Sequence, residues 1–194
     1  MTSEVDICNL AMADIGSTAV ISSLGESSVE AKYCNIFYEA ARDALLEEYE
    51  WPFAHRKVEL ASTGTPPQQW LFQYAYPNNT IVCRRIWQLD RQAAPLPFEL
   101  IASDDLQSRL IVTDTATASM MVTSKVTLPT LFPPKFIEAL HFKLASMLAM
   151  PITKKRTSDM LEAYARALTS AATSSLNQQV GALPRDPDWI TGRG

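Results

Sequence analysis

Apolar positions along the chain change their spacing twice. In residues 1–52 they recur every three or four positions, which is typical of amphipathic helices. From Phe53 to about Val126 they alternate with polar positions, as in half-buried strands. The helical spacing then returns. This pattern predicts helical segments at both ends of the chain and a strand-rich middle between them.

Capping signals and breakers set the ends of the first two helices. The first is predicted from Ser3 to Ile15, since Ser3 and Asp6 have the spacing of a capping box. The second is predicted to begin at Ser27, by the same kind of signal, and to end where a proline follows Trp51. The predicted inward-facing residues are Val5, Cys8, Met12 and Ile15 in the first helix, and Cys34, Phe37, Ala41 and Leu45 in the second.

The middle of the chain is predicted to form an antiparallel sheet. Its short alternating runs are separated by turn-rich pieces such as STGTPP and YPNN. The runs TIVCRRIWQL, FELI and RLIVTD are candidate strands. Two further strands are indicated by single-face alternation, through Trp70, Phe72, Tyr74 and Tyr76, and through Ala118, Met120, Val122 and Val126.

Two more helices are predicted after the strands. The third begins at Pro134, since proline suits the first helical position, and ends at Pro151. The last runs from about Thr153 to Gln178 on an alanine-rich stripe. The stripe residues are Phe136, Leu140, Leu144 and Leu148 in the third helix, and Leu161, Tyr164, Leu168 and Ala172 in the last.

These elements predict an α+β fold. Helices at the two ends of the chain must each bury a stripe, so residues 1–52 and 133–179 are expected to pack as one discontinuous helical bundle. Residues 53–132 are expected to protrude from it as an antiparallel β lobe. Residues 180–194 contain three potential breakers and are predicted to form an extended C-terminal arm.

Composition narrows the class of protein. The chain has 194 residues, 47% of them hydrophobic, with a net charge of −4 and no long basic stripe, so tight, salt-sensitive DNA binding is not expected. Charges such as Glu138 and Lys143 interrupt the apolar segments, and no secretory signal is visible, which predicts a protein made in the cytoplasm with no membrane span. The cysteines Cys8, Cys34 and Cys83 are predicted to be buried hydrophobes without a disulfide or metal role.

No catalytic constellation is visible in the sequence. Neither His55 nor His141 has a neighbouring Asp, Ser or Cys that would suggest a triad. The chain has no phosphate-cradling glycine loop and no HExxH motif. Adjacent carboxylates do not lie across a cleft, so solvated charge is the favoured interpretation of the acidic pairs. No catalytic, metal or cofactor residue is therefore assigned, and the protein is not expected to be an enzyme. The pairs are Glu47-Glu48 and Asp104-Asp105.

Two basic clusters are candidate contacts with phosphate or with an acidic partner surface. They are Arg84-Arg85 and Lys154-Lys155-Arg156. The favoured interpretation is structural: the first cluster guards an edge strand, and the second is the solvated start of a helix.

Aromatic residues offer a second kind of candidate surface. Trp70, Tyr74, Tyr76 and Trp87 could form a base-stacking platform, although a place in the core of the sheet is favoured. Trp189 lies in a proline-rich, charged tail with no obvious core of its own, which favours anchoring to another surface. The alternative is a tail folded back over its own bundle.

Several segments, in order, resemble one known family. They are ICNLAMADIG, with Ile7, Asn9, Leu10, Ala11, Ile15 and Gly16; SSVEAKYCNIFYEAARDALLEEYEWPFAHRK; YAYPNNTIVCRRI; RLIVTD; and LFPPKFIEALHFKLASMLAMPIT, leading to the last helix with Tyr164. Up to about Gln178, the chain resembles the head-to-tail adaptor proteins of short-tailed bacteriophages, often called tail tubular protein A.

The resemblance implies a structural virion protein at the portal vertex. Such a subunit forms a ring, commonly of twelve copies, between the portal protein and the tail nozzle protein, and double-stranded genomic DNA passes through the lumen. The helical bundle would build the ring wall, and the β lobe would meet neighbouring tail components. The candidate partner interface is Arg185, Asp188, Trp189 and Ile190, and the candidate lumen-facing or partner-facing basic residues are Lys154, Lys155 and Arg156.

Two other classes stay open. A tail-associated cell-wall hydrolase would need a cleft that holds a carboxyl group with a raised pKa. A nucleic-acid-binding module would bind DNA with a steep salt dependence.

Overall fold

Helices and antiparallel sheets share the chain, which confirms the α+β class. A computed structural model describes residues 2–88, 94–154 and 158–178. The predicted arm, residues 180–194, lies outside these ranges. The helices are α1 (Glu4–Asp14), α2 (Val29–Glu48), α3 (Pro134–Leu148) and α4 (Ser158–Gln178), and the strands are β1 (His55–Glu59), β2 (Phe72–Ala75), β3 (Thr80–Ile86), β4 (Phe98–Ala102), β5 (Arg109–Thr113) and β6 (Ser119–Ser124).

The predicted capping box at the start of α1 is confirmed. The Ser3 hydroxyl accepts a hydrogen bond from the Asp6 backbone N–H at 3.1 Å, and the Ser3 N–H donates to the Asp6 carboxylate at 2.8 Å. Two backbone donors that have no partner within the helix are thereby satisfied. Gly16, with φ of 75°, follows the helix in the left-handed region that glycine tolerates best.

The N-cap of α2 is Ser28, one residue later than predicted. Its hydroxyl accepts from the Ala31 N–H at 3.2 Å and donates to the Glu26 carboxylate at 2.6 Å. Glu26 also accepts from the backbone and hydroxyl of Ser22. These hydrogen bonds lower the pKa of Glu26 to about 2, and the one from the Ser28 hydroxyl has the largest effect. The Glu26 carboxylate thus holds the Ser28 hydroxyl in the capping position. The spacing of Ser27 and Glu30 in the sequence does not indicate this.

Helix α3 is the centre of the helical core. It packs against α1, α2 and α4. Its four predicted stripe residues, Phe136, Leu140, Leu144 and Leu148, are fully buried, as predicted. Pro151 does not end the helical path, because it lies within a π-helical turn at Ala149–Thr153 that follows α3 directly.

The inward face of α4 differs from the predicted stripe. The buried residues are Tyr164, Ala167 and Ala171, whereas Leu161 is 50% exposed. Small alanine side chains let α4 approach α3 closely, so the face richest in buried alanine is the one that turns inward. Leu161, on the adjacent face, is left at the surface.

The strands form two sheets, so the prediction of one sheet is wrong. The first has the order β1-β6-β3 and the second β2-β5-β4. After β1 the chain crosses from one to the other: the Leu60 N–H donates to the Ala118 carbonyl, and the Ala61 carbonyl then accepts from the Ala75 N–H in the second sheet. The sheets share a second core that includes Tyr74, Ile111, Met120 and Val122.

Arg84 on β3 joins the strands to the helices. Its Nη2 donates to the carbonyls of Leu46, Glu47 and Tyr49 at 2.9–3.1 Å, and its Nε donates to the Thr123 hydroxyl at 2.9 Å. The last carbonyls of a helix have no partner within the helix and carry partial negative charge, so a guanidinium satisfies and stabilises them. β3 is an edge strand, as the guard interpretation assumed, but Arg84 serves the end of α2.

Replacing Arg84 by Ala is expected to lower the free energy of unfolding by about 2–4 kcal/mol, because carbonyls at the end of α2 lose a charged donor. Arg85→Ala is the matched control: Arg85 is 54% exposed and pairs with the exposed Glu50, so a loss of about 0–1 kcal/mol is expected. Urea unfolding of both variants checks this. Equal losses for the two variants would contradict the role assigned to Arg84.

Candidate functional site

Of the partner-interface and lumen-facing candidates named with the family resemblance, only Lys154 lies in the described part of the chain. Lys154 is exposed, between the π-helical turn and α4, with φ of 55°. Its neighbours Lys155 and Arg156 lie outside the described residues. So do the four residues of the predicted partner interface, which are Arg185, Asp188, Trp189 and Ile190.

His141 has an acidic partner that sequence reasoning missed. Its Nδ1 lies 2.6 Å from Asp14 Oδ2, and both side chains are mostly buried. Asp14 is the last residue of α1, and 127 positions separate the two. The contact depends on how α1 packs against α3, so no local motif reports it. The pair fastens the two helices together.

Glu48 is 42% exposed, in keeping with the predicted solvated charge, but its carboxylate also has partners on two other helices. Its Oε2 accepts from Lys143 Nζ at 2.8 Å and from the Tyr164 hydroxyl, so α2, α3 and α4 meet at one carboxylate. Burial raises the pKa of Glu48, but these two hydrogen bonds outweigh burial, and the net pKa is lowered. Burial, followed by the nearby Glu48 carboxylate, raises the pKa of Tyr164.

In the other acidic pair, Asp105 is also unlike the general acid of a glycosidase. The Asp105 carboxylate accepts from the Ser103 hydroxyl and the Gln107 N–H, and these bonds lower the pKa of Asp105. A general acid for glycan cleavage needs a raised pKa. The pKa values of Glu48 and Asp105 are both lowered instead.

The four aromatic residues considered as a base-stacking platform are divided between core and surface. Tyr74 is buried, and its hydroxyl donates to the Thr115 carbonyl at 2.9 Å, which confirms the core interpretation for this residue. Tyr76 is half-buried against the second core, with the Arg109 guanidinium 4.1 Å from its ring centroid. Trp70 and Trp87 are half-buried outside that core. Lys57 Nζ lies 5.3 Å from the Trp87 ring.

The three cysteines are buried and free, as predicted. They are Cys8, Cys34 and Cys83. Among the described residues, no group of three or more His, Cys, Asp or Glu side chains is placed to hold a metal ion.

Helices α2 and α4 are among those that present apolar side chains to solvent. On α2, Val29 and Ile36 are 61% and 53% exposed, with the half-buried Tyr33 between them at helical spacing. We call these three residues the α2 outer face. On α4, the half-exposed Leu161 lies one turn before the exposed Ala165, and we call these two the α4 outer face.

The chain segments that contain the two faces differ in net charge. Residues 1–52, which include α2, contain ten acidic and two basic residues. Residues 133–179, which include α4, contain six basic and three acidic residues. The two apolar helix faces therefore lie in chain segments of opposite net charge, although α4 itself holds two acidic residues and one basic residue.

In comparisons with known proteins, the chain matches no protein-family model and no curated protein. Within the described parts of the chain, no helix combines the length and apolar character that crossing a bilayer requires.

Replacing Glu48 by Gln is expected to reduce the acid sensitivity of the fold. Because the folded-state pKa of Glu48 lies below its unfolded value of 4.5, its stabilisation is present above pH 4.5 and is lost as pH falls through the folded pKa. The free energy of unfolding, measured with urea at pH 6 and again at acid pH, should fall less in the variant than in the wild type. The difference should be under about 1 kcal/mol, because Glu48 is 42% exposed. Identical losses in both proteins would contradict the assignment.

Proposed function

We propose that this protein is a head-to-tail adaptor of a short-tailed bacteriophage, a structural subunit that forms a ring between the portal protein and the tail nozzle protein. The observation that carries the proposal is the pair of unlike exposed faces, on α2 and on α4, in segments of opposite net charge. A closed ring of identical subunits needs two different, complementary patches on each copy.

The proposed ring contact places the α2 outer face of one copy against the α4 outer face of the next. Burying Val29, Ile36 and Leu161 removes exposed apolar surface from water. The acidic and basic segments then orient the contact head to tail, since two α2 faces would bring like charges together.

The residues that carry the family resemblance have structural roles that fit this proposal. Asn9 in the segment ICNLAMADIG donates its amide N–H to the Ile21 carbonyl and accepts the Ile21 N–H, both at 3.0 Å. It thereby fixes the loop that leads from α1 to α2. Ile7, Ala11 and Ile15 from the same segment are buried in the helical core. The resemblance thus draws on residues that build the proposed ring wall.

The proposed division of labour follows the chain. Residues 1–52 and 133–179 form the ring wall, residues 53–132 form a lobe toward the tail, and residues 180–194 form an arm that engages a neighbour or the portal. Twelve copies would line a lumen for double-stranded DNA. The mildly acidic subunit, of net charge −4, holds a passing duplex weakly, which favours sliding.

Ring closure is proposed to depend on the portal as a template. A contact between unlike faces that closes at the wrong angle produces filaments, so assembly restricted to the portal avoids that outcome. Under this proposal the isolated chain is a monomer. The arm becomes ordered, and loses conformational entropy, only when the subunit docks on the portal.

Ile36→Ser is expected to abolish rings on the portal while the melting temperature changes by less than about 4 °C, because Ile36 is exposed in the single subunit. Leu71→Ser is the matched control, since Leu71 is 67% exposed but lies just before β2, away from the proposed contact. Electron microscopy of each protein mixed with the portal from the same virus, with light-scattering mass, is the measurement.

Each outcome of this experiment is informative. Normal rings from Ile36→Ser would overturn the α2 outer face as the contact. Rings formed by the wild-type chain without the portal would keep the adaptor role and overturn template control. Wild-type chains that stay monomeric and never bind the portal would overturn the adaptor proposal.

Removing the chain from Gly181 onward is expected to leave a folded protein that fails to dock on the portal. Both described cores consist of residues before position 175, so the far-ultraviolet circular dichroism spectrum and the unfolding transition should persist. Co-sedimentation with portal rings measures docking. Normal docking by the truncated chain would refute the role of the arm.

A further inference from the structure

Strand β4 has a free edge. In the order β2-β5-β4 it pairs with β5 alone. The Ser103 N–H donates to the Ser108 carbonyl at 2.9 Å, in the register that the two strands follow. Because hydrogen-bonded pairs alternate with non-bonded pairs in an antiparallel ladder, the N–H and C=O groups of Phe98, Leu100 and Ala102 point away from β5. Within the described residues, no other backbone group is hydrogen-bonded to them.

The β4 edge has less protection than the other strand edges of the described sheets. Charges, prolines, bulges and covering segments usually block such edges. β1 has three charged residues among its five, β3 has two register shifts, and β2 is paired on its outer side by residues 61–63. β4 is regular in register over its whole length, contains no proline and carries a single charge. It is therefore the edge most open to another strand.

The two faces of β4 differ in chemistry. Phe98, Leu100 and Ala102 lie on one face, where Phe98 packs against the second core and Leu100 is 43% exposed. Glu99 and Ile101 lie on the other face, and Glu99 is exposed. A strand added to this edge extends the apolar surface on the first face and meets a carboxylate on the second.

The hairpin of β4 and β5 is acidic up to the start of β5. Residues 98–108 contain three acidic residues and no basic residue. Asp104 and Asp105, both exposed, add to Glu99 from the turn. The next residue, Arg109, holds its guanidinium carbon 4.1 Å from the centroid of the Tyr76 ring, so the cation nearest in sequence is already engaged. The charge of the hairpin therefore favours a basic partner.

We infer that the β4 edge binds an extended peptide segment in which apolar residues alternate with lysine or arginine. The segment adds antiparallel to β4, as the existing pairs of this sheet do, and becomes its fourth strand. Its apolar residues lie opposite Phe98, Leu100 and Ala102 and exchange backbone hydrogen bonds with them. Its basic residues lie on the same face as Glu99.

A second copy of this chain is a poorer occupant of the edge. Two β4 strands paired with each other would bring the three acidic residues of one hairpin beside the three of the other. Like charges on paired strands are destabilising, so the hairpin resists pairing with itself. The inference concerns the edge of a single subunit and therefore stands or falls independently of the adaptor proposal.

A labelled seven-residue peptide of alternating valine and lysine tests the charge preference, by fluorescence anisotropy with the full chain. It should bind at least about tenfold more tightly than a peptide of alternating valine and glutamate. Glu99→Lys should weaken binding of the lysine peptide at least about fivefold. Glu59→Lys is the matched control, because it makes the same charge change at an exposed position of β1, and it should alter the affinity less than about twofold.

The outcomes that contradict the inference are distinct. No binding of the lysine peptide, or equal binding of the two peptides, would overturn it. Equal losses in the Glu99 and Glu59 variants would overturn the β4 edge as the site. A chain that is dimeric by light scattering, and whose dimer the peptide dissociates, would assign the edge to a second copy instead.

Methylation of the peptide backbone tests the strand pairing. In the inferred arrangement the valine N–H groups point to β4 and the lysine N–H groups point away from it. Methylating the valine nitrogens should weaken binding at least about tenfold, because several hydrogen bonds are lost. Methylating the lysine nitrogens should change the affinity less than about threefold. Equal affinities of the two methylated peptides would overturn the added strand.

Discussion

The structure depends most on the way two side chains cap the carboxyl end of α2. Trp51 Nε1 donates to the Leu45 carbonyl at 2.8 Å, and Arg84 binds the carbonyls of Leu46, Glu47 and Tyr49. The last turn of α2 contains no basic residue of its own. Its terminal carbonyls, which water or a cap must satisfy, are instead bound from outside the helix. Because Arg84 belongs to β3, satisfying the helix end also positions the strands against the helical core.

Helix α3 has the corresponding role inside the helical core. Its buried stripe brings together helices that are far apart in the sequence, and polar residues at its sides fix their positions. His141 contacts Asp14 of α1, and Lys143 contacts Glu48 of α2 beside Tyr164 of α4. Hydrophobic burial alone is non-directional, whereas these contacts need particular distances. They favour one arrangement of the four helices over other packings of the same stripes.

What the sequence predicts well is what depends on near neighbours. The capping box of Ser3 and Asp6 and the stripe of α3 follow from spacings of three and four residues. The cap at Ser28 was missed because the Glu26 carboxylate, two residues earlier, selects it. The second sheet was missed because its boundary is a crossing after Leu60, which leaves no mark on the alternation of apolar residues.

The same distinction applies to the candidate site. Exposed apolar residues such as Ile36 belong to an ordinary helical pattern, and only packing reveals which of them stay uncovered. No sequence feature near Arg84 indicates that it binds the carbonyls of Leu46, Glu47 and Tyr49. Contacts between distant segments determine which apolar residues stay exposed and which carbonyls Arg84 binds. The sequence without the fold therefore predicts neither feature.

A firm link between the helical core and the strands matters for the proposed ring. The rotation from one subunit to the next is set by the angle between the α2 and α4 outer faces, and small errors accumulate around a closed ring. Glu48 connects α2 directly with α3 and α4, and Arg84 connects the end of α2 with β3. In the proposed ring, the contacts of Glu48 and Arg84 thus have a second role, because they help to hold the two faces at the angle that closure requires.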